Sequence, residues 1–138
     1  MLDENDVVEA VCAYLPSQGY RVTEKRTTVE QGVDIVAVHQ SGTTLLVEAK
    51  GATSSRPGSN RFGKPYTPSQ LFDRTSKGFY TAAQLRSQNP SSLVALAFPA
   101  ERLLQKHMQD VRSALYALHI DVLWVTDEGV RWEKADGR

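Results

Sequence analysis

The sequence predicts an α/β domain, a mixed central sheet flanked by helices, with elements in the order αβββαβαβ. Three observations carry that expectation. Apolar residues recur at helical spacing in three separate stretches, aliphatic and β-branched runs fall between them, and turn-forming clusters mark most boundaries.

The first stretch, residues 4–15, puts Val7, Val8, Val11, Cys12 and Leu15 on one helical face, and Pro16, Ser17 and Gly19 stop it. Tyr20 to Arg26 alternates weakly, as a strand does. Val33 to His39 is a stronger strand, Gln40-Ser41-Gly42 a turn, and Thr43 to Lys50 the returning arm of a hairpin. Residues 51–67 hold Gly, Ser, Pro and Asn without periodicity and are expected to be a loop. Thr67-Pro68-Ser69-Gln70 is a helix start, with Thr67 as cap and Gln70 three residues on. Leu71, Phe72, Thr75, Phe79, Ala82 and Ala83 would line the inner face of that helix up to Asn89-Pro90. Leu93 to Phe98 is a continuous apolar run, expected as a strand buried on both faces. A single helix is predicted over Glu101 to Leu118, with Leu104, Met108, Val111, Leu115 and Leu118 inward, followed by strands at Ile120 to Thr126 and Val130 to Glu133.

The composition bounds the class. The 138 residues fit one domain over 1–138, and 41% apolar with 23% charged residues argues against disorder. No apolar run is long enough to cross a bilayer and the acidic start is unlike a signal peptide, so a cytoplasmic protein with no membrane partner is expected. The single cysteine, Cys12, excludes an internal disulfide and makes a Cys/His zinc cluster implausible. A net charge of zero hides an asymmetry: residues 1–49 carry −5, residues 50–86 carry +6 and residues 87–138 carry −1. The central excess is a footprint for a polyanion such as DNA.

The chemistry is expected on the hairpin. Asp34 opens an otherwise apolar strand, and Glu48 and Lys50, two residues apart on its partner, share a face. With Gly42 left-handed in a three-residue loop, His39 pairs with Thr43 and Asp34 falls opposite Glu48. Opposed like charges are destabilising, so the pair calls for a cation. Mg²⁺ suits it, taking one or two protein carboxylates and filling its shell with water and phosphate oxygens. Lys50 would position or deprotonate the attacking water, or stabilise the developing charge. The bland alternative is a same-face Glu48–Lys50 salt bridge with Asp34 merely ending a strand.

Gly32-Val33-Asp34, fourteen-residue spacing, then Glu48-Ala49-Lys50-Gly51 resembles the PD-(D/E)xK nuclease superfamily, of restriction-endonuclease-like fold. The flavour is similar to Holliday-junction resolvases and to nuclease domains of methylation-dependent restriction enzymes. The resemblance spans most of the chain. It implies a DNA endonuclease in which Asp34, Glu48 and the carbonyl of Ala49 hold Mg²⁺ or Mn²⁺ and Lys50 is catalytic. Val33 stands where the family has proline.

The same resemblance implies a first-helix glutamate in the site. At 100° per residue, with Val7 at zero, the apolar face centres near about 70°; Glu4 falls at about 60° and Glu9 at about 200°, which selects Glu4. Gln70 is either a polar site residue or only a cap. Arg61, Lys64, Arg74 and Lys77 would contact phosphates, with Arg56 and Arg86 as secondary candidates. Phe62 and Tyr66 either stack on bases or pack locally, while Trp124 and Trp132 are expected in the core or at a sheet edge. The histidines are scattered, and no serine-hydrolase elbow, dinucleotide loop or phosphate-binding P-loop is present. The alternative function is a catalytically silent nucleic-acid-binding or interaction module, which loss of Asp34, Glu48 or Lys50 would favour; none is lost. A homodimer, or a partner subunit that supplies DNA recognition, stays open.

Overall fold

In the computed structural model, which describes residues 2–26, 32–54 and 64–135, helix α1 runs Glu4–Tyr14. Its start is a reciprocal cap: the Asp3 carboxylate accepts from the Asp6 N–H at 2.8 Å and Asp6 accepts from the Asp3 N–H at 3.0 Å. Pro16 tightens the exit into a 3₁₀ turn over Leu15–Gln18. Strands β1 (Tyr20–Lys25), β2 (Ile35–His39) and β3 (Thr44–Ala49) follow, then α2 (Pro68–Gln88), β4 (Leu93–Pro99), α3 (Arg102–Asp110), α4 (Arg112–Ala117), β5 (Ile120–Thr126) and β6 (Gly129–Glu133).

The fold is α/β, with one mixed six-stranded sheet whose spatial order follows the chain, β1 to β6. The outer pairs β1–β2, β2–β3 and β5–β6 are antiparallel, while β3–β4 and β4–β5 are parallel because a helical crossover separates each pair. Alternation splits the core in two. On one face Val7 and Val11 of α1, with Leu15 of the 3₁₀ turn, cover Ile35, Ala37, Leu45, Val47, Ala95 and Leu123. On the other, Leu71, Ala82, Leu85, Leu104, Met108 and Leu115 of α2, α3 and α4 cover Leu46, Val94, Leu96, Phe98, Val122 and Trp124. Among the described residues no helix is long and apolar enough to cross a membrane.

Two expectations need correction. The single helix over 101–118 is two helices, broken at Val111 (φ −116°, ψ 19°), whose N–H donates to the Met108 carbonyl in a tightened turn. The buried face of α2 is rotated: Gly78 and Leu85 join Leu71, Thr75 and Ala82, while Phe72 is exposed and packs edge-on to His107 of α3, ring centroids 5.5 Å apart. Phe79 and Ala83 are half-buried. The tryptophans are core and sheet-edge residues whose indole N–H groups meet carboxylates, Trp124 to Glu133 at 2.8 Å and Trp132 to Asp121 at 2.9 Å.

Arg86 is also reassigned. Its guanidinium donates to the carbonyls of Asn89, Pro90, Ser92, Leu118 and His119 at 2.8–3.4 Å, clasping the end of α2 to the turn before β5. There His119 adopts φ +55°, the one non-glycine residue with positive φ among those described. The cation is absorbed by backbone carbonyls, so it belongs to the frame rather than to a phosphate track.

Candidate active site

The hairpin register puts the acidic pair together. The His39 N–H donates to the Thr43 carbonyl and the Gly42 N–H to the His39 carbonyl, both at 2.8 Å, with Gly42 at φ +94°. A side chain is disfavoured there, and the left-handed residue closes the three-residue connection. Pairing then runs Val38 to Thr44, Ala37 to Leu45, Val36 to Leu46 and Ile35 to Val47. One step further lies Asp34 opposite Glu48, at the mouth of the ladder and as expected.

Both carboxyl groups are buried, Asp34 9% and Glu48 7% exposed. Asp34 Oδ2 accepts the Ala49 N–H at 2.8 Å, and the two carboxyl groups hydrogen-bond each other. Lys50 Nζ stands 3.3 Å from Glu48 Oε2. Burial is the largest cause raising the Asp34 pKa; the Ala49 N–H, the Glu48 hydrogen bond and Lys50 pull the other way. Glu48 is pushed up to about 8, first by burial and then by the Asp34 charge, against the pull of Lys50. Both shifts favour a protonated form of the pair, the direction expected of two acids buried against each other.

Glu4 joins this group from α1. Burial raises its pKa and the Asp34 charge raises it further, while Lys50 and Arg74 lower it, so its carboxyl lies in the field of all three. Glu9 is turned away, 2.8 Å from Lys25 Nζ with its side chain 65% exposed. What brings Glu4 here is a close backbone crossing. A Cβ on Gly51 would stand 2.3 Å from the Glu4 nitrogen and 2.5 Å from the Asp3 carbonyl carbon, so only glycine lets the start of α1 pass over the end of β3. The Ala52 N–H then donates to the Leu2 carbonyl and the Tyr66 N–H to the Ala52 carbonyl, both at 2.9 Å, and Thr53 bridges to Pro65. Sequence reasoning missed Gly51; its place directly after Glu48-Ala49-Lys50 was the available signal.

Among the described residues no three His, Cys, Asp or Glu side chains converge closely enough to hold a metal ion. A cation here would have to be taken by the Asp34–Glu48 pair alone, with main-chain oxygen and water completing its shell, a donor set of the kind Mg²⁺ commonly accepts. The site does not fit a three-carboxylate cage that includes Glu4.

The expected nucleic-acid residues divide. Arg61 lies outside the described residues, as do Arg56 and Phe62. Lys64 is exposed, and its carbonyl accepts the Thr53 hydroxyl. Gln70 completes the cap of α2: its side-chain oxygen accepts the Thr67 N–H at 2.8 Å while the Thr67 hydroxyl accepts the Gln70 N–H at 3.2 Å. The capping explanation is therefore realised, and the amide oxygen is already engaged. Gln70, Arg74 and Lys77 follow one flank of α2 at four- and three-residue spacing. That helix passes over the site at Gly78, where a Cβ would be 3.3 Å from Lys50 Cγ. Tyr66 packs locally, against Arg74.

A separate cleft of about 150 Å³ lies towards the other end of the sheet, among Met108, Arg112, Trp124 and Glu133. Its one carboxylate, Glu133, already meets Trp124 and Arg112, so it offers no paired acids.

No family model and no curated protein sequence matches the chain. Two solved structures are similar over 95% of this chain and 98% of their own, each at 18% identity. One is an XisH family protein from Nostoc punctiforme PCC 73102 with a TM-score of 0.55, and the other an fdxN element excision controlling factor protein from Anabaena variabilis with a TM-score of 0.52. At that identity the likeness is one of fold, and it extends over nearly the whole domain.

Proposed function

We propose that the chain is a metal-dependent endonuclease that hydrolyses phosphodiester bonds in DNA. The observation that carries the reading is the buried Asp34–Glu48 pair, opposed across the hairpin with Lys50 at 3.3 Å from Glu48. Burying two acids against each other costs stability, and such an arrangement is characteristic of sites selected for chemistry. Asp34, Glu48 and the Ala49 carbonyl would hold Mg²⁺ or Mn²⁺. A cation bound there supplies Lewis acidity towards a phosphate oxygen and a water.

The chain's own groups supply the rest. The Ala49 N–H fixes the Asp34 carboxylate against the end of β3, beside Glu48. The Lys50 ammonium, 3.3 Å from Glu48, would hydrogen-bond the attacking water or the charge that develops on phosphate. Glu4 adds a third acid at the edge of the same cluster and can orient water there.

The test is a panel of duplex, nicked, branched and modified DNA, and RNA, with Mg²⁺, Mn²⁺ or EDTA. Asp34→Ala, Glu48→Ala and Lys50→Ala should each lower cleavage by orders of magnitude while leaving the protein folded. Wild-type cutting that persists in excess EDTA rules out the metal mechanism. A second reading is binding or control of DNA without turnover; the observation on its side is the name of a solved structure of similar fold, an fdxN element excision controlling factor protein. DNA binding without cleavage of any member of the panel would select it.

A further inference from the structure

The Arg74 guanidinium differs from the other basic side chains near the site. It is half-buried on α2, with its carbon 5.1 Å from the centre of the Tyr66 ring and Nη2 donating to the Tyr66 hydroxyl at 3.0 Å. The side chain is thus held by a ring beneath it and a hydrogen bond at its tip. A guanidinium carries five donors, and among the described residues this is the one hydrogen bond that Arg74 makes; no ion pair engages it there. Tyr66 is itself fixed, because its N–H donates to the carbonyl of Ala52, two residues beyond Lys50. Arg74 lies one helical turn before Gly78, where α2 touches the Lys50 side chain, a separation of about 6 Å along the axis. The charges of Arg74 and Lys50 both draw down the Glu4 pKa, which agrees with that placement.

We propose that Arg74 grips a substrate phosphate beside Lys50 with its free donors, and that Tyr66 is the positioning residue that presents it. This rests on the nuclease reading above and names a residue pair that carries it further. The chemistry follows from the fork: a planar cation stacked in place meets two oxygens of one phosphate and loses little rotamer freedom on binding. Lys64 and Lys77, exposed and on flexible stems, act on phosphates only as point charges. The competing explanation is that Tyr66 and Arg74 only staple the segment before α2 onto the helix.

The experiment compares the full-length wild type with Tyr66→Phe, Arg74→Lys and Arg74→Ala. It measures single-turnover cleavage of 5′-labelled duplex and branched DNA in Mg²⁺, Kd for the same DNA in Ca²⁺, and Tm. Tyr66→Phe keeps the ring and removes the hydroxyl, and should slow cleavage and weaken binding roughly three- to ten-fold. Arg74→Ala should slow cleavage about 100-fold. Arg74→Lys should stay at least about ten-fold below wild type, because charge without the fork does not restore the grip. Rescue by lysine, or a Tyr66→Phe protein equal to wild type in both rate and Kd, overturns the proposal. So does a series that changes Tm alone, since that is the mark of a staple. If the wild type binds but cuts nothing, the nuclease reading fails by itself, and the Kd order of the same four proteins still decides whether Arg74 grips phosphate. If it neither cuts nor binds, both fall.

Discussion

Replacing Glu48 by glutamine should stabilise the metal-free protein, and more so as the pH rises. In the unfolded chain Glu48 ionises near its ordinary 4.5, whereas in the fold it holds its proton to about 8. Between those values the unfolded state binds fewer protons than the folded one, so stability falls as pH rises and levels off above 8. At about 1.4 kcal/mol per unit, the shift sets a ceiling of roughly 5 kcal/mol. Asp34 shares the proton and Lys50 compensates part of the charge, which brings the expected gain for Glu48→Gln to about 2–4 kcal/mol at pH 8, shrinking towards zero near pH 5. The amide keeps the side chain's shape and can still donate to Asp34. Urea denaturation in EDTA at pH 5, 6.5 and 8, with wild type and variant side by side, measures the difference directly. A wild-type stability that holds level or rises from pH 5 to 8 relative to the variant would refute the reasoning, because Glu48 would then be an ionised partner of Lys50. Adding Mg²⁺ should narrow the gap at pH 8, since a ligand bound only by the folded wild type offsets the cost of the paired charges.

Gly51→Ala should cost about 2–4 kcal/mol in urea denaturation and impair cleavage as well, because the new methyl meets backbone of Asp3 and Glu4 rather than a movable side chain. Arg86→Ala leaves five carbonyls without their donor; about 2–4 kcal/mol of lost stability is expected, with DNA affinity unchanged once the protein is folded. Lys64→Ala and Lys77→Ala should weaken binding to DNA of every sequence and flatten the salt dependence by about one unit each, and an unchanged slope in the double variant would place both charges outside the interface.

What the sequence made legible was local chemistry repeated at short range. The turn Gln40-Ser41-Gly42 set the hairpin register, and with it the meeting of Asp34 and Glu48, because a loop of that length with a left-handed glycine leaves one pairing. The Thr67–Gln70 box located the start of α2, and the angular position of Glu4 in the stripe of α1 separated it from Glu9. Most of the misses depend on partners distant in the chain, and one is a local break that the apolar pattern does not mark. The break at Val111 was hidden because Leu104, Met108, Val111, Leu115 and Leu118 keep unbroken helical spacing across it. Phe72 belongs by periodicity to the inner face of α2, yet it packs against His107 of a later helix. Arg86 counts as surface charge until the carbonyls of two separate turns are brought around it, and Gly51 is unremarkable until the start of α1 crosses it.

The short ladder that ties Leu2, Ala52 and Tyr66, closed by the Thr53–Pro65 bridge, has a consequence for how this protein can change. It pins both ends of the intervening segment to the platform that carries Lys50 and Glu4. The start of α1, the residues after β3 and the approach to α2 are thereby joined as one unit, although they are far apart in the chain. A change that loosens any one of the three should therefore be felt at both Lys50 and Glu4, and local opening there should expose the Ala52 and Tyr66 amides to hydrogen exchange together.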